Sequence, residues 1–554
     1  INSLKKKIRF VKLNKNIIIE VDEEDAEKLL NTINTFKLDP KKLNETQNVP
    51  LYQTLKIASD DLDIIDYTID DSLKKLINEI VEFKKLDIKV PSSLKNVLRE
   101  YQVDAYKWMK VLSKHNFCGV LADDMGLGKT LEVISVILSS EEKKPSLIVC
   151  PKSLCYNWKN EFSLWAKELD VVNVIGNIND RKDIISKIDE KKKVIYISSY
   201  DSLRNDIDLY KNVKFNYLIL DEAQSIKNHN TLKAKSVKKI KSIHRFVLTG
   251  TPIENSVVDL WSIFDFLMPE YLGDYSNFRS RYEEAVVSGN ADEVSGALIR
   301  KISPFVLRRT KKEVLKDLPD KIETIQIASM EEKQRLIYEA QLRKTREILT
   351  NPKASKIEIL SSLTRLRQIC VHPQLYLDNY DGRSAKFDLL MELLEDYIAT
   401  DHKVIIFSQF TSAFTLLEPL LNDKKYEYFL LTGKTSAEDR ISMANRFNDK
   451  DDKHKVFLVS LKAGGTGLNL IGADIVIHLD PWWNYAVENQ ATDRAHRIGQ
   501  KNVVQVIKMI CENSIEQKVI ELQRIKKEVA ERIILSDEEN YNNINLTDLK
   551  YLLD

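Results

Sequence analysis

From Leu94 onward the chain alternates short, mostly apolar runs with longer stretches of helical periodicity. Ser146–Cys150, Val194–Ser198, Tyr217–Leu220 and Arg245–Leu248 form one series of such runs. Val404–Ser408, Tyr428–Leu431, Val456–Ser460 and Ile475–Asp480 form a second. Apolar runs of this length suit strands buried on both faces, and their alternation with helices predicts βαβ units and parallel sheets. A charged, helical region from about Ser256 to Tyr376 separates the two series, which predicts two α/β lobes with a cleft between them. Residues 1 to about 90 are charged and modestly amphipathic, with a strand expected at Asn16–Val21 and a helix at Glu23–Leu38. They carry no evident chemistry. Low-complexity segments and short tandem repeats are absent from the sequence.

Composition adds limits rather than an answer. The 554 residues suffice for about three or four domains. With 43% hydrophobic and 30% charged residues, the mixture is that of an ordinary globular protein. Lys+Arg 84 against Asp+Glu 83 leaves a formal charge of +1, so nucleic-acid binding must come from local patches. No apolar run is long enough to cross a bilayer, and INSLKKKIRF does not read as a signal peptide. A chain that starts at Ile1 is expected to be a piece of a longer protein with an upstream domain. Its 5 cysteines, Cys118, Cys150, Cys155, Cys370 and Cys511, form no CxxC pair, which fits buried, reduced thiols. Cys370 and His372 are expected to be structural, and His402 and His454 ordinary surface histidines.

The chemistry concentrates in four segments. In LADDMGLGKTLEVISVIL, Leu121–Leu138, a strand over Phe117–Ala122 leads into a glycine turn and an apolar helix. Such a turn aims the backbone N–H groups of Met125, Gly126, Leu127 and Gly128, and a positive helix end, at an anion. Lys129 would reach the β and γ phosphates of ATP, and the Thr130 hydroxyl would ligate Mg²⁺. Asp123 stands where the usual P-loop has its first glycine. Tyr217–Leu220 ends in Asp221-Glu222-Ala223-Gln224. Carboxylates at the carboxyl end of a central strand lie where open α/β sheets bind ligand. There Asp221 would hold Mg²⁺, and Glu222 would orient and deprotonate the attacking water. Thr249-Gly-Thr-Pro252 could sense the phosphate state, though alone it is a weak signal.

In the second series, Glu488–Gln500 reads as one helix broken by Gly499. Gln490, Arg494 and Arg497 then share a face at i, i+4 and i+7, and the arginines are candidates to stabilise charge on the γ phosphate. Ser460–Leu470 holds Gly464, Gly465 and Gly467 with Lys462 and Thr466, a loop that could approach a phosphate of either nucleotide or nucleic acid. The basic run Arg308-Arg309-Thr310-Lys311-Lys312 is either a nucleic-acid contact or a solvated helix face.

In order, the chain carries LREYQ (Leu98–Gln102), DDMGLGKT, CPKSLCYNW (Cys150–Trp158), DEAQ, LTGTPIEN (Leu248–Asn255), LRRTKKEV (Leu307–Val314), LRQICVHP (Leu366–Pro373), FSQFT (Phe407–Thr411), the Ser460 loop, DPWWN (Asp480–Asn484) and DRAHRIGQ. This set resembles the core of Swi/Snf-type ATPases of helicase superfamily two, over roughly Leu94 to Ile525. The family commonly has an acidic residue at the position of Asp123. The resemblance implies two RecA-like parallel-sheet lobes with helical protrusions near Ser256–Thr310 and Glu323–Leu377. It implies an accessory segment at 1–90, a first lobe over 91–320, protrusion and linker over 321–380, and a second lobe over 381–554. It further implies that Gln102 recognises adenine, that Lys129, Thr130, Asp221 and Glu222 serve phosphates, metal and water, and that Arg494 and Arg497 act as fingers. Lys152, Asn157, Ser408, Gln409 and Lys462 would line the DNA backbone, with Trp483 as a further contact. Tyr485 replaces the family's usual proline after DPWWN.

The expected activity is ATP-driven translocation on double-stranded DNA by a monomer that remodels a protein–DNA complex. The source is expected to be bacterial and the site of action the nucleoid in the cytoplasm, or the nucleus if the source is eukaryotic. Two rivals stay open: a strand-separating DNA or RNA helicase, and an ATP-dependent docking factor acting on a partner such as RNA polymerase.

Overall fold

The computed structural model describes residues 10–14, 17–20, 23–36, 38–49, 70–250, 257–280, 298, 301–351, 353–461 and 468–533. Near the start, β1 (Phe10–Asn14) and β2 (Ile17–Glu20) pair antiparallel and are followed by a helix at Glu23–Phe36. A second helix, Asp71–Val81, buries Leu76 and Ile80 in the core of the first lobe. The end of the 1–90 segment therefore packs on that lobe.

Seven strands build the first sheet: β3 (Gly119–Leu121), β4 (Ser146–Cys150), β5 (Asp170–Val174), β6 (Val194–Ser199), β7 (Lys214–Asp221), β8 (Lys241–Leu248) and β9 (Val306–Leu307). Their order is β5-β6-β4-β7-β8-β3-β9, with every pairing parallel. Six strands build the second: β10 (Lys321–Ala328), β11 (Val404–Ser408), β12 (Tyr428–Leu431), β13 (Val456–Ser460), β14 (Ile475–His478) and β15 (Val504–Cys511). The order there is β10-β15-β14-β11-β13-β12, again all parallel. Central strands such as β4, β11, β13 and β14 are buried along their whole length, as their unbroken apolar runs require. The two-lobe α/β expectation holds.

Two sequence expectations need correction. The region read as helical contains β9, which closes the first sheet, and β10, an edge strand of the second. The second sheet therefore takes in a strand from the region expected to be protrusion and linker. The helices Glu332–Thr350 and Lys356–Val371 do follow, joined through Gln341, Thr345 and Ser362, and they pack against Cys511, Ile515 and Val519 of the same lobe. The second correction concerns the segment with the two arginines. Its helix is Tyr485–Thr492, and Arg494 and Arg497 lie on turns beyond it. The helical-face argument for those residues fails, although both still reach the site.

Candidate nucleotide site and nucleic-acid face

β3 leads into the P-loop, and the helix Lys129–Leu138 leaves it. Gly126 and Gly128 take φ of 86° and 87°, a region that disfavours side chains. A Cβ on Gly128 would stand 2.5 Å from Gln102 Nε2, and one on Gly126 2.8 Å from Arg497 Cβ. Both glycines are thus required by backbone conformation and by close approach. Lys129 Nζ lies across the turn, donating to the carbonyls of Asp123 at 2.5 Å and Asp124 at 3.4 Å. Met125 packs on Gly250, where an added Cβ would meet its Cγ at 2.9 Å, and Thr249 N donates to Leu121 O at 3.2 Å. The TGTP segment is thereby seated on the P-loop; Thr251 and Pro252 lie outside the described residues.

Asp123 has a structural partner that accounts for it. It is fully buried, and Arg309 Nε lies 3.0 and 3.2 Å from its two carboxylate oxygens. The same guanidinium donates to Glu132 Oε1 at 3.0 Å and to the Tyr101 carbonyl, and it lies 5.1 Å over the Tyr101 ring. Burial, and then the charge of Asp123, push the Glu132 carboxyl well above the usual range. That direction favours the neutral form of Glu132 and leaves Asp123 as the main counter-charge of the guanidinium. Tyr101 Oη and Gln102 Nε2 both donate to Leu127 O, at 2.8 and 3.0 Å, while Gln102 Oε1 accepts from Arg99 N at 3.0 Å. Gln102 therefore sits beside the P-loop with its amide engaged by the protein at both ends.

β7 delivers Asp221 and Glu222 next to this loop. Asp221 is held by two residues whose roles the sequence did not reveal. Trp158 Nε1 donates to its Oδ2 and Tyr200 Oη to its carbonyl, both at 2.9 Å. Burial first, and then the neighbouring Glu222 charge, raise the Asp221 pKa to about 6. Glu222 adopts φ 51° and ψ 57°, a left-handed conformation unusual for a residue with a side chain and of the kind that collects at functional sites. Its carboxylate accepts from Gln224 Nε2 at 2.7 Å and, from the second lobe, Gln490 Nε2 at 3.3 Å. Arg494 and Arg497 complete the cluster from that lobe. Burial lowers both pKa values. Glu222, Asp493 and Asp221 counter this at Arg494, whereas the Arg494 charge helps bring Arg497 to about 10.

These residues fit a magnesium nucleotide. Two guanidiniums, Arg494 buried and Arg497 half-buried, both destabilised by desolvation, form an anion site, and Asp221 with its raised pKa beside the Glu222 carboxylate is a cation site. The Thr130 hydroxyl and the Asp221 carboxylate are the hard oxygen donors that Mg²⁺ takes. A different trio, Cys370, Cys511 and Glu516, also lies within ligating distance, but Lys386 Nζ already pairs with Glu516 at 2.8 Å. All five cysteines are free and buried, as expected.

The residues expected to touch nucleic acid divide. Lys152 and Arg308 are exposed, and Asn157 is half-buried on the helix Cys155–Trp165. Ser408 is buried, and its hydroxyl donates to Asp480 Oδ1 at 2.5 Å, which removes it from the expected contact set. Arg309 is also withdrawn, being spent on Asp123 and Glu132. Gln409 N donates to the Asp480 carboxylate at 3.2 Å, while its side-chain nitrogen is buried without a hydrogen-bond partner. Trp482 and Trp483 diverge into different apolar clusters, both half-buried, with the fully buried Arg367 guanidinium 5.5 and 5.1 Å from their rings. Arg367 also donates to Pro481 O at 2.5 Å and to Asp480 at 3.4 Å, a role the sequence did not disclose. Lys462 and the glycines of its loop, Gly464, Gly465 and Gly467, lie outside the described residues.

Fold, P-loop, paired carboxylates and facing arginines define a helicase-like ATPase core, and the chain belongs to the SNF2-related family within it. An SNF2-related domain model matches residues 101–375, and a helicase conserved C-terminal domain model matches 385–499. The chain is 39% identical over 83% of its length to the uncharacterized ATP-dependent helicase MG018 of Mycoplasma genitalium, covering 44% of that protein. It is 37% identical over 85% of its length to the putative ATP-dependent helicase/translocase YwqA of Bacillus subtilis, covering 53% of it. The chain thus spans about half the length of these curated relatives. Against the solved SWI2/SNF2 ATPase core of Sulfolobus solfataricus in complex with dsDNA, identity is 36%, covering 81% of this chain and 95% of that one, with a TM-score of 0.42.

Proposed function

We propose that this chain is the motor of an ATP-driven translocase on double-stranded DNA that remodels protein–DNA complexes. The observation that carries the reading is the meeting of two lobes at one site. Arg497 abuts Gly126 of the P-loop, and Gln490 reaches Glu222. In this reading the Met125–Gly128 turn, Lys129 and Gln490 bind the triphosphate, and Gln102 lies towards the base. Thr130 and Asp221 hold Mg²⁺, which would neutralise charge on the phosphates. Glu222 orients and deprotonates water, its carboxylate held by Gln224 and Gln490. Arg494 and Arg497 stabilise charge that develops on the terminal phosphoryl group, a contribution of about 10³–10⁵ in rate in well-studied cases. Closure of the lobes then becomes a condition of turnover. The paired arginines and the P-loop support translocation equally with strand separation, and the helicase/translocase name of the Bacillus subtilis relative fits both.

On the DNA face, Lys152, Asn157, Arg308, Gln409 and Trp483 remain the candidate contacts, and Lys462 is proposed from its sequence position. Contacts of this kind position a backbone without reading base order and weaken with salt. Turnover of ATP should therefore rise with duplex DNA more than with single strands or RNA at matched salt. Lys129→Ala should lower it by at least about 10³-fold. Displacement of a triplex strand without separation of the duplex would support translocation, and duplex unwinding would support the helicase alternative. Turnover near zero with every ligand would sink the ATPase reading and favour a docking factor.

A further inference from the structure

The segment between β9 and β10 meets both halves of the nucleotide site, through the apolar Leu315 and, by polar contacts, through Lys311. Lys311 opens a short helix, Lys311–Val314, capped by the Thr310 hydroxyl. Its backbone N–H donates to Asp124 Oδ2 of the P-loop at 3.0 Å. Its Cε lies 3.6 Å from where a Cβ on Gly126 would stand. The ammonium points the other way, donating to Asp493 Oδ1 at 2.7 Å and to His496 O at 2.5 Å. Asp493 and His496 bracket Arg494, and His496 directly precedes Arg497.

The helix that approaches those arginines ends at Thr492, and beyond it short turn bonds continue, from Arg494 N to Ala491 O at 3.1 Å and from His496 N to Thr492 O at 3.1 Å, so the placement of the turn depends on its tertiary contacts as well. A turn outside a helix takes its position from tertiary contacts. Two such contacts come from the same segment, the Lys311 pair and His496 Nε2 at 2.8 Å from Pro319 O, and a third comes from the first residue of β10, Lys321, whose Nζ donates to Asn489 Oδ1 at 2.8 Å. Of these, the Lys311 pair is the one that also reaches the P-loop. Lys311 is 8% exposed, so the ion pair is shielded from solvent and its geometry is narrow. A lysine ammonium, with three rotatable donors, can serve a carboxylate and a carbonyl together.

We propose that Lys311 is a positioning residue: fixed to the P-loop by its main chain and to Asp493 and His496 by its ammonium, it sets the turn that presents Arg494 and Arg497 to the nucleotide. This inference rests on the reading of the chain as an ATPase. It makes Lys311 a coupler between loop and fingers, with no contact to the nucleotide itself. Such a residue affects the transition state more than ground-state binding, since small displacements of charge-stabilising groups can cost about 10²-fold.

The test is a mutant cycle in the full chain, with ATP turnover, nucleotide affinity and thermal melting read together. Lys311→Met should lower kcat at least about tenfold while the ATP KM and the affinity for ADP stay within about threefold. Asp493→Asn should give the same split, and the double variant should be no worse than either single within about twofold. Lys311→Gln keeps a donor without the charge; it should lose less and serves if the methionine variant melts. Unchanged kcat in a folded variant, a raised KM at constant kcat, or losses that multiply in the double variant would each overturn the role. A wild-type chain without ATP turnover would instead overturn the ATPase reading.

Discussion

Asp123 is the residue whose neighbours matter most to its meaning. In sequence it stands where a glycine is usual; in the fold it is the buried anion that pairs with Arg309, far along the chain. Breaking a buried pair by removing one partner leaves an uncompensated charge. Arg309→Met leaves Asp123 and Glu132 together without a counter-charge and should cost about 3–5 kcal/mol in denaturant unfolding. Asp123→Gly should cost less, because Glu132 then ionises against the arginine. Equal costs would mean that Glu132 takes no part. Asp221 makes the opposite prediction. Its pKa is raised to about 6 from an ordinary 3.8, so the folded state binds the proton more tightly than the unfolded chain. Stability is gained as pH falls from about 6 towards 4 and is lost as pH rises through that window. Asp221→Asn should therefore raise the melting temperature of the nucleotide-free protein at pH 7.5 more than at pH 5, while ATP turnover collapses. The candidate site was legible where residues lie within one motif, as with Lys129, Asp221 and Glu222. Trp158 and Arg367 carry no role in the sequence reading, and Lys311, read there as a nucleic-acid contact or a solvated face, is buried against Asp493 and His496, because the partners of all three are set by how the chain folds back on itself.

At the scale of elements, the buried strands were legible and the ends of helices were not. Strands β4, β11 and β13 run over the residues that their apolar runs predict, since burial on both faces leaves a pattern with sharp ends. β10 was absorbed into a helical reading although Ile325-Gln326-Ile327 alternates as a strand does. An edge strand with exposed isoleucines gives a weaker signal than a central one. The helix Tyr485–Thr492 stops before Arg494 because tertiary contacts outweigh propensity in its last turns. The P-loop turn allows a test at this scale. Gly126→Ala places a methyl group against the Arg497 Cβ in a backbone region that alanine disfavours. It should lower kcat by at least about tenfold and reduce compaction on nucleotide binding, as read by small-angle scattering. Full compaction with normal turnover would show that Arg497 does not close on this glycine.

For the molecule as a whole, the sequence conveyed two lobes but not the strand β10 that reaches into the second sheet ahead of its other strands. The border is the segment between β9 and β10, where the chain passes from the edge of one sheet to the edge of the other. Beyond that covalent link, the described contacts across it include the Lys311 and His496 hydrogen bonds, Gln490 with Glu222, Tyr156 with Glu438, Arg497 against Gly126, and a small apolar group of Tyr101, Leu127, Leu315 and Ile498. Residues 308–320, drawn out straight, would reach roughly 45 Å. The leash is therefore slack on the scale of any gap a nucleotide or a duplex would open. How far the halves drift apart is then governed by reversible side-chain attachments and not by the polypeptide that joins them.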